Sequence, residues 1–568
     1  MQCTAVRGAG FGDGIDSCTL SARQYRVAEC GRRCHSESSG APHMSPAHEH
    51  GFLLPHDLSD ARLRRLLGGE SGCQFDDSHP FSLQFYDSFD WRLHAAQQVL
   101  FELETPAGRL LRLKHANGSD AGEAVESHAA PAWPHDLPAG PLRDRVSACL
   151  AMRVLLPVAR VRGSATDLRL LNEDGKTVVR LQLLRLTSES DSVDEPRTLW
   201  PRLRILPVKG YEDEAAALTS VLADQHGWPD APGCLLDEAC AAVGREPGDY
   251  SSKLKLSLRP QKMAVDAMRK VFLTLLDTLE RNVDGARRNI DSEFLHDLRV
   301  ATRRTRSALT QVKHVLPDAV VADFKQRFAW VGQITGPTRD LDVFLLELPI
   351  YRASLPPSMR AGLDALEQRI HHDHATAQAV LADELASDRF RAVLADWRTL
   401  LEDGAFPGEP GWFADLPIER VASQRIWRMY KKVIRDGRVA AVQGEPAAMH
   451  ELRKDCKKLR YLIEFFQSLY PADDMQAIVK TLKKLLDNLG DFQDKEVQAE
   501  HLQALAAEFA PSARSKLPTI LAIGALSADS LRVQQSAHDK FAARFAAFDS
   551  EHNRARFKTL FKARAQAS

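Results

Sequence analysis

His296-Asp297-Leu298-Arg299-Val300-Ala301-Thr302-Arg303-Arg304-Thr305-Arg306 returns 154 residues later as His450-Glu451-Leu452-Arg453-Lys454-Asp455-Cys456-Lys457-Lys458-Leu459-Arg460. A second block keeps the same register: Gly336-Pro337-Thr338-Arg339-Asp340-Leu341-Asp342-Val343 stands against Gly490-Asp491-Phe492-Gln493-Asp494-Lys495-Glu496-Val497. Apolar positions between the blocks match as well, Phe328 with Leu482 and Val331 with Leu485. Two blocks in one ungapped register make a tandem duplication, read as two helical bundles packed side by side.

At about 100° per residue, with His296 as zero, Arg299, Arg303 and Arg306 fall near −60°, −20° and −80°. They form one stripe with the histidine. Leu298, Ala301, Thr305, Ala308, Leu309 and Val312 gather on the opposite side and make the core face. The second copy repeats this division, with His450, Arg453, Lys457 and Arg460 opposite Leu452, Leu459 and Ile463. Arg304 and Lys458 stand about 80° from their histidines, at the other edge of the stripe. Successive cations rise by about one turn, roughly 5.4 Å.

A basic helix face is ordinarily a solvated one. Solvation, however, asks only for charge, and Glu or Gln would serve equally. It does not ask for a histidine at one station in both copies, or for cations at four matched positions. Like charges at i, i+3 and i, i+4 repel by about 0.2–0.5 kcal/mol per pair, a cost that a bound anion relieves. The repeated helices are therefore read as an anion-binding surface.

Charge divides along the chain. Residues 251–568 hold 49 Lys and Arg against 41 Asp and Glu, an excess of eight; residues 1–250 hold 26 against 35, a deficit of nine. The net charge of −1 hides a basic half in which a polyanion would sit. A hydrophobic content of 44% and a charged content of 27% exclude a disordered or collagen-like chain. No run reaches the roughly 18 apolar residues of a spanning helix, and the first residues lack the basic-then-apolar order of a secretory signal. A cytoplasmic location is expected. Cys3, Cys18, Cys30 and Cys34 crowd the start without a CxxC pair, so neither a disulfide scaffold nor a zinc site is expected. Residues 1–45 read as a disordered tail, with Met44 as an alternative start.

Residues 46–245 show short alternating runs broken by Gly, Pro, Asn and Asp. Strands are expected at Phe81–Tyr86, Gln98–Glu104, Leu110–Lys114, Ala151–Leu156, Asp167–Leu171, Thr177–Leu186 and Leu203–Val208. Turn residues at Asn172–Gly175 predict a hairpin, and Asp213–His226 predicts an amphipathic helix. A linker is expected at 246–258. From Arg259 onward the pattern is amphipathic helix, about eight to ten of them, in repeats spanning about 259–410 and 415–568. The expected fold class is α+β multidomain: an antiparallel β-rich domain followed by an all-α domain of two tandem-repeated bundles. Arg425, Arg428, Lys431, Lys432 and Arg435, on the helix before the second His block, are expected to extend the basic surface. Asp340, Asp342 and Asp494 are expected to hold arginines in place rather than a metal, and His371, His372 and His374 to be surface residues.

The two motif blocks resemble the CHAD domain, the conserved-histidine α-helical domain, over about residues 255–560. The resemblance implies two four-helix bundles related by a pseudo-twofold axis and a surface that binds inorganic polyphosphate. The positions it assigns are His296, Arg299, Arg303, Arg304, Arg306, Arg339, His450, Arg453, Lys457, Lys458 and Arg460, to which the preceding helix adds Arg428 and Lys432. Gln493 replaces the second copy of Arg339, so the two halves are not expected to contribute equally. The chemistry is consistent: polyphosphate is charged at every unit and has no base to read, so a row of Arg and Lys suffices. Arg brings forked contacts and Lys a point charge.

CHAD domains often follow a CYTH domain, the triphosphate tunnel fold, and Tyr86-Asp87-Ser88-Phe89-Asp90-Trp91-Arg92-Leu93 resembles one of its segments. Arg202–Leu222 resembles its late strand and helix. This implies a tunnel or barrel-like β domain over about 46–225. That family opens with Glu-x-Glu-x-Lys, where this chain has Ala47-His48-Glu49-His50-Gly51, and Arg202-Leu203-Arg204 stands where acids alternate. Hydrolysis of a phosphoanhydride in such a tunnel needs carboxylates to hold a divalent cation. A degenerate domain without triphosphatase activity, metal or cofactor is expected. The function expected of the whole is polyphosphate binding, on polyphosphate granules and not at a membrane. An inorganic triphosphatase and a general polyanion or nucleic-acid binder are the alternatives; no RNP motif or helix-turn-helix signature favours the latter.

Overall fold

A computed structural model describes residues 50–67, 72–189, 196–509 and 513–566. The expected tail 1–45, its four cysteines, Met44 and the Ala47–Glu49 stretch lie outside these residues. The described chain divides between Ser251 and Ser252 into two compact units.

The first unit is an antiparallel sheet. Its strands are β1 (His50–Leu53), β2 (Cys73–Asp87), β3 (Gln98–Thr105), β4 (Gly108–His115), β5 (Asp120–Glu126), β6 (Leu156–Leu171), β7 (Thr177–Glu189), β8 (Arg197–Thr198) and β9 (Arg202–Pro207). They lie in the order β1-β9-β7-β6-β2-β3-β4-β5, with β8 beside β7. The β6–β7 hairpin turns where Asn172 and Gly175 predict it. The Asn172 side chain accepts from the amides of Asp174 and Lys176, and Gly175 takes φ +73°, a conformation that costs glycine little. Helices α1 (Asp60–Leu66), α2 (Arg92–Ala95) and α3 (Pro141–Leu150) join strands, and α4 (Glu212–His226) and α5 (Leu236–Ala242) follow β9. Phe52, Leu168, Leu181, Leu203 and Leu222 share one core, and Phe85, Val161, Leu186 and Ala239 another. The expected strand at Ala151–Leu156 is not formed. Helix α3 runs to Leu150, Ala151 turns at φ 52°, and β6 starts only at Leu156.

The second unit is helical: α6 (Ala264–Arg287), α7 (Ser292–Gln311), α8 (Asp318–Ile334), α9 (Gly336–Ser354), α10 (Asp364–Ala386), α11 (Asp388–Asp403), α12 (Ile418–Gln443), α13 (Pro446–Phe466), α14 (Ala472–Phe509), α15 (Ala513–Phe548) and α16 (Glu551–Phe557), then a π turn at Lys558–Lys562 and α17 (Ala563–Gln566). The 154-residue offset carries α6 onto α12 and α7 onto α13. Where the repeats begin, the Ala264 amide donates to Leu416 O at 2.8 Å and the Ile418 amide to Lys262 O at 2.9 Å. The offset exchanges these two bonds, as a twofold relation between the copies requires. Gly285 lets α6 and α7 approach closely, because a Cβ there would stand 2.2 Å from the Phe294 ring. A core joins the copies: Phe344, Leu348, Leu366 and Ile370 of the first pack with Leu502, Leu505, Ile523 and Leu526 of the second.

Candidate anion-binding surface

Each stripe helix is fixed at its start. The Asp291 carboxylate accepts from the amides of Glu293 and Phe294 at 3.0 and 3.2 Å, capping α7. Pro446 opens α13, where its missing N–H costs nothing. The core faces are those the spacing predicts, with Leu298, Ala301, Ala308, Leu309, Val312, Leu452, Leu459 and Ile463 all buried. On the other side His296, Arg299, Arg303, His450, Arg453, Lys457 and Arg460 are half-buried and Arg306 is exposed.

The two stripe helices touch. Arg303 Nε donates to Tyr461 Oη at 2.6 Å, with its guanidinium 6.0 Å from the centre of that ring. Arg304 is 5% exposed. It donates to Glu464 Oε2 at 3.1 Å and to Ser252 O at 3.3 Å. Glu464 also accepts from Arg460 Nε at 2.6 Å, so one carboxylate clamps a cation from each copy. Arg304 is thus a strut between the repeats rather than an open cation at the stripe's edge. Tyr461 and Glu464 do not appear among the candidates from sequence, although both were within reach: helical periodicity places them about 20° and −40° from His450, on the stripe itself.

The remaining cations are held in several ways. Arg299 Nη1 donates to Gly332 O at 3.2 Å and to Thr335 Oγ1 at 3.0 Å. Arg339 Nη1 donates to Ser292 O at 3.4 Å. In the second copy His450 Nδ1 meets Gln493 Oε1, and Arg453 Nη2 donates to both oxygens of Asp494 at 2.8 and 3.0 Å. Gln493 can accept a hydrogen bond, whereas Arg339 at the equivalent place has only donors. Lys458 Nζ pairs with Asp455 Oδ1 at 2.8 Å, and Lys432 Nζ with Asp436 at 2.9 Å and with Asp455.

The expected cluster on α12 separates. Arg425 is buried, donating to Lys313 O at 2.5 Å and lying 5.1 Å from the centre of the Phe413 ring. Burial, followed by the charge of Arg428, pulls its guanidinium below the ordinary value. Lys432 turns to the acids of α12 and α13, and Arg435 to Asp436 at 2.7 Å. Arg428 and Lys431 remain exposed. Asp494 holds Arg453 as expected, but Asp342 bonds His374 Nε2 at 2.8 Å. His374 is therefore largely buried and not a surface residue, because an acid from α9 reaches it across the bundle; His371 and His372 are exposed.

In the β unit the Tyr86–Leu93 segment builds a turn. The Asp87 carboxylate accepts from the amides of Ser88, Leu93 and His94 at 2.7, 2.9 and 2.9 Å. Burial pushes its carboxyl up to about 6 against those three donors. Asp90 pairs with Arg92 at 3.0 Å and with the fully buried Arg153 at 3.4 Å. Arg202 pairs with Glu238 at 2.5 Å, and Arg204 donates to Gln182 at 2.9 Å. Among the described residues no three His, Cys, Asp or Glu gather as metal ligands, and no helix is long and apolar enough to cross a membrane.

Residues 270–503 match the CHAD domain family model. Solved structures similar to the chain include the CHAD domain from the plant Ricinus communis, at 23% identity over 52% of this chain and 96% of that one, with a TM-score of 0.44. PptA from Streptomyces chartreusis follows, at 18% identity over 50% and 99%, with a TM-score of 0.37. A putative adenylyl cyclase from Hippeastrum, whose structure is described as revealing a dominant triphosphatase activity, aligns at 16% identity over 36% and 99%, with a TM-score of 0.23. No curated protein matches the chain.

Proposed function

We propose that the CHAD domain binds inorganic polyphosphate along the two stripe helices, and that the protein associates through it with polyphosphate granules. The reading is carried by the Arg303–Tyr461 contact, which joins the cationic faces of both copies into one surface. Arg299, Arg303, Arg306 and Arg339 of the first copy and Arg453, Lys457, Lys458 and Arg460 of the second would meet successive phosphates, with His296 and His450 beside them. Arg304 would hold the surface together from beneath, while Arg428 and Lys432 would lie at its margin. Arg202 and Arg204 put positive charge in a strand where a divalent cation needs carboxylates, which favours binding over hydrolysis.

The test is titration of the full chain with labelled polyphosphate at several salt concentrations. The Arg303→Glu/Lys457→Glu variant is expected to lose roughly tenfold or more in affinity at low salt, and its log–log salt slope to flatten by about one to two. An unchanged titration by a correctly folded double variant would sink the site. Phosphate release from tripolyphosphate with Mg²⁺ or Mn²⁺ would favour the triphosphatase instead. Equal competition by DNA at fixed salt would favour a general polyanion binder.

A further inference from the structure

Helix α12 turns a second face away from α13. Its Lys432 side meets Asp455 of α13, whereas Trp427, Tyr430 and Ile434 point the other way and line a groove of about 480 Å³ closed by α16 and the π turn. The groove is cationic. Lys431, Arg435 and Arg438 come from α12, and Arg554 and Lys558 from the far wall. Two carboxylates offset part of this: Asp436 pairs with Arg435 at 2.7 Å, and Asp549 with Arg438 at 2.8 Å and Arg554 at 3.4 Å. Three positive charges remain in excess.

The groove is also aromatic, which the polyphosphate stripe is not required to be. The Trp427 and Tyr430 rings lie 5.6 Å apart at 30°. Tyr430 is locked from behind by Phe557, stacked at 3.9 Å and 8°. Tyr430 is only 3% exposed, yet its hydroxyl has no hydrogen-bond partner in the protein. A planar ring beside clustered cations suits a ligand with a flat base at one end and phosphates at the other. Inorganic polyphosphate would leave the ring unused.

We propose that this groove binds a nucleoside phosphate, with the base against Trp427 and the phosphates among Lys431, Arg435 and Lys558. The site lies on a different face of α12 from the one turned to α13, and does not depend on the polyphosphate reading.

Calorimetric titration of the full chain carrying Arg303→Glu/Lys457→Glu, which removes the polyphosphate surface, with ATP and with tripolyphosphate tests it. ATP is expected to bind more tightly than tripolyphosphate at this groove. Trp427→Ala should weaken ATP roughly tenfold, and Lys558→Glu, a surface change that leaves the packing intact, by a similar factor. The Arg303→Glu/Lys457→Glu variant should retain ATP binding while losing polyphosphate, so the two sites fail separately. ATP binding that is absent, no tighter than tripolyphosphate, or unaffected in folded Lys558→Glu would overturn the proposal.

Discussion

The two copies of the helical repeat share a register but not a backbone. In the first, α8 ends at Ile334 and α9 restarts at Gly336 with Pro337 in its first turn; in the second, α14 runs unbroken from Ala472 to Phe509 through Gly490 and Asp491. Proline lacks the N–H that an interior position must donate and clashes with the turn before it. Pro337 stands at a break that the other copy, with Asp491 at that place, does without. The same inequality appears among the cations. Arg304 reaches across to Glu464 of the other copy, while its counterpart Lys458 pairs with Asp455 on its own helix. A guanidinium has several donors in a fixed fork and can bridge; an ammonium is a point charge that settles on the nearest acid. Duplication preserved the positions, and the residue chosen at each position then decided whether it serves its own copy or joins the two.

That contrast can be attacked directly. Asp491→Pro would impose the first copy's break on the second, costing about 3 kcal/mol or more for an interior proline, read as a lower denaturation midpoint; Pro337→Ala should change little. If both changes are neutral, the proline does not explain the difference. Arg304→Ala breaks a buried pair, and because Glu464 keeps Arg460 the loss should sit near the low end of the range, about 3 kcal/mol. Lys458→Ala, with a side chain 37% exposed, should cost less than about 1 kcal/mol. Equal losses in urea unfolding would refute the bridging role. The smallest effect should come from exchanging the odd pair. Arg339→Gln should weaken polyphosphate a few-fold, and Gln493→Arg, which adds a cation beside His450, should strengthen it by a similar factor. Opposite signs would show that the copies bind on unequal terms for some other reason.

The duplicated helices were legible because their signal is local and occurs twice: periodicity alone separated the core face of Leu298, Ala308 and Leu309 from the stripe, and the offset placed α12 and α13. What escaped the sequence depends on tertiary partners. Arg304 and Arg425 read as surface cations because nothing within their own helices draws them inward; Glu464 and the Lys313 carbonyl do so from elsewhere in the fold. His374 was misread for the same reason, its acid lying 32 residues away in α9. In the β unit, apolar runs such as Ala151–Leu156 resemble strands, and only the left-handed turn at Ala151 ends the resemblance.

The core that unites Phe344, Leu348 and Leu366 with Leu502, Ile523 and Leu526 has a consequence for how the molecule comes to exist. Neither copy owns a complete interior, so each would leave an apolar flank in water if made by itself. Expressed as separate polypeptides, the halves should recover their structure only by finding one another. During synthesis the flank of the first copy should stay open until α14 and α15 have been made.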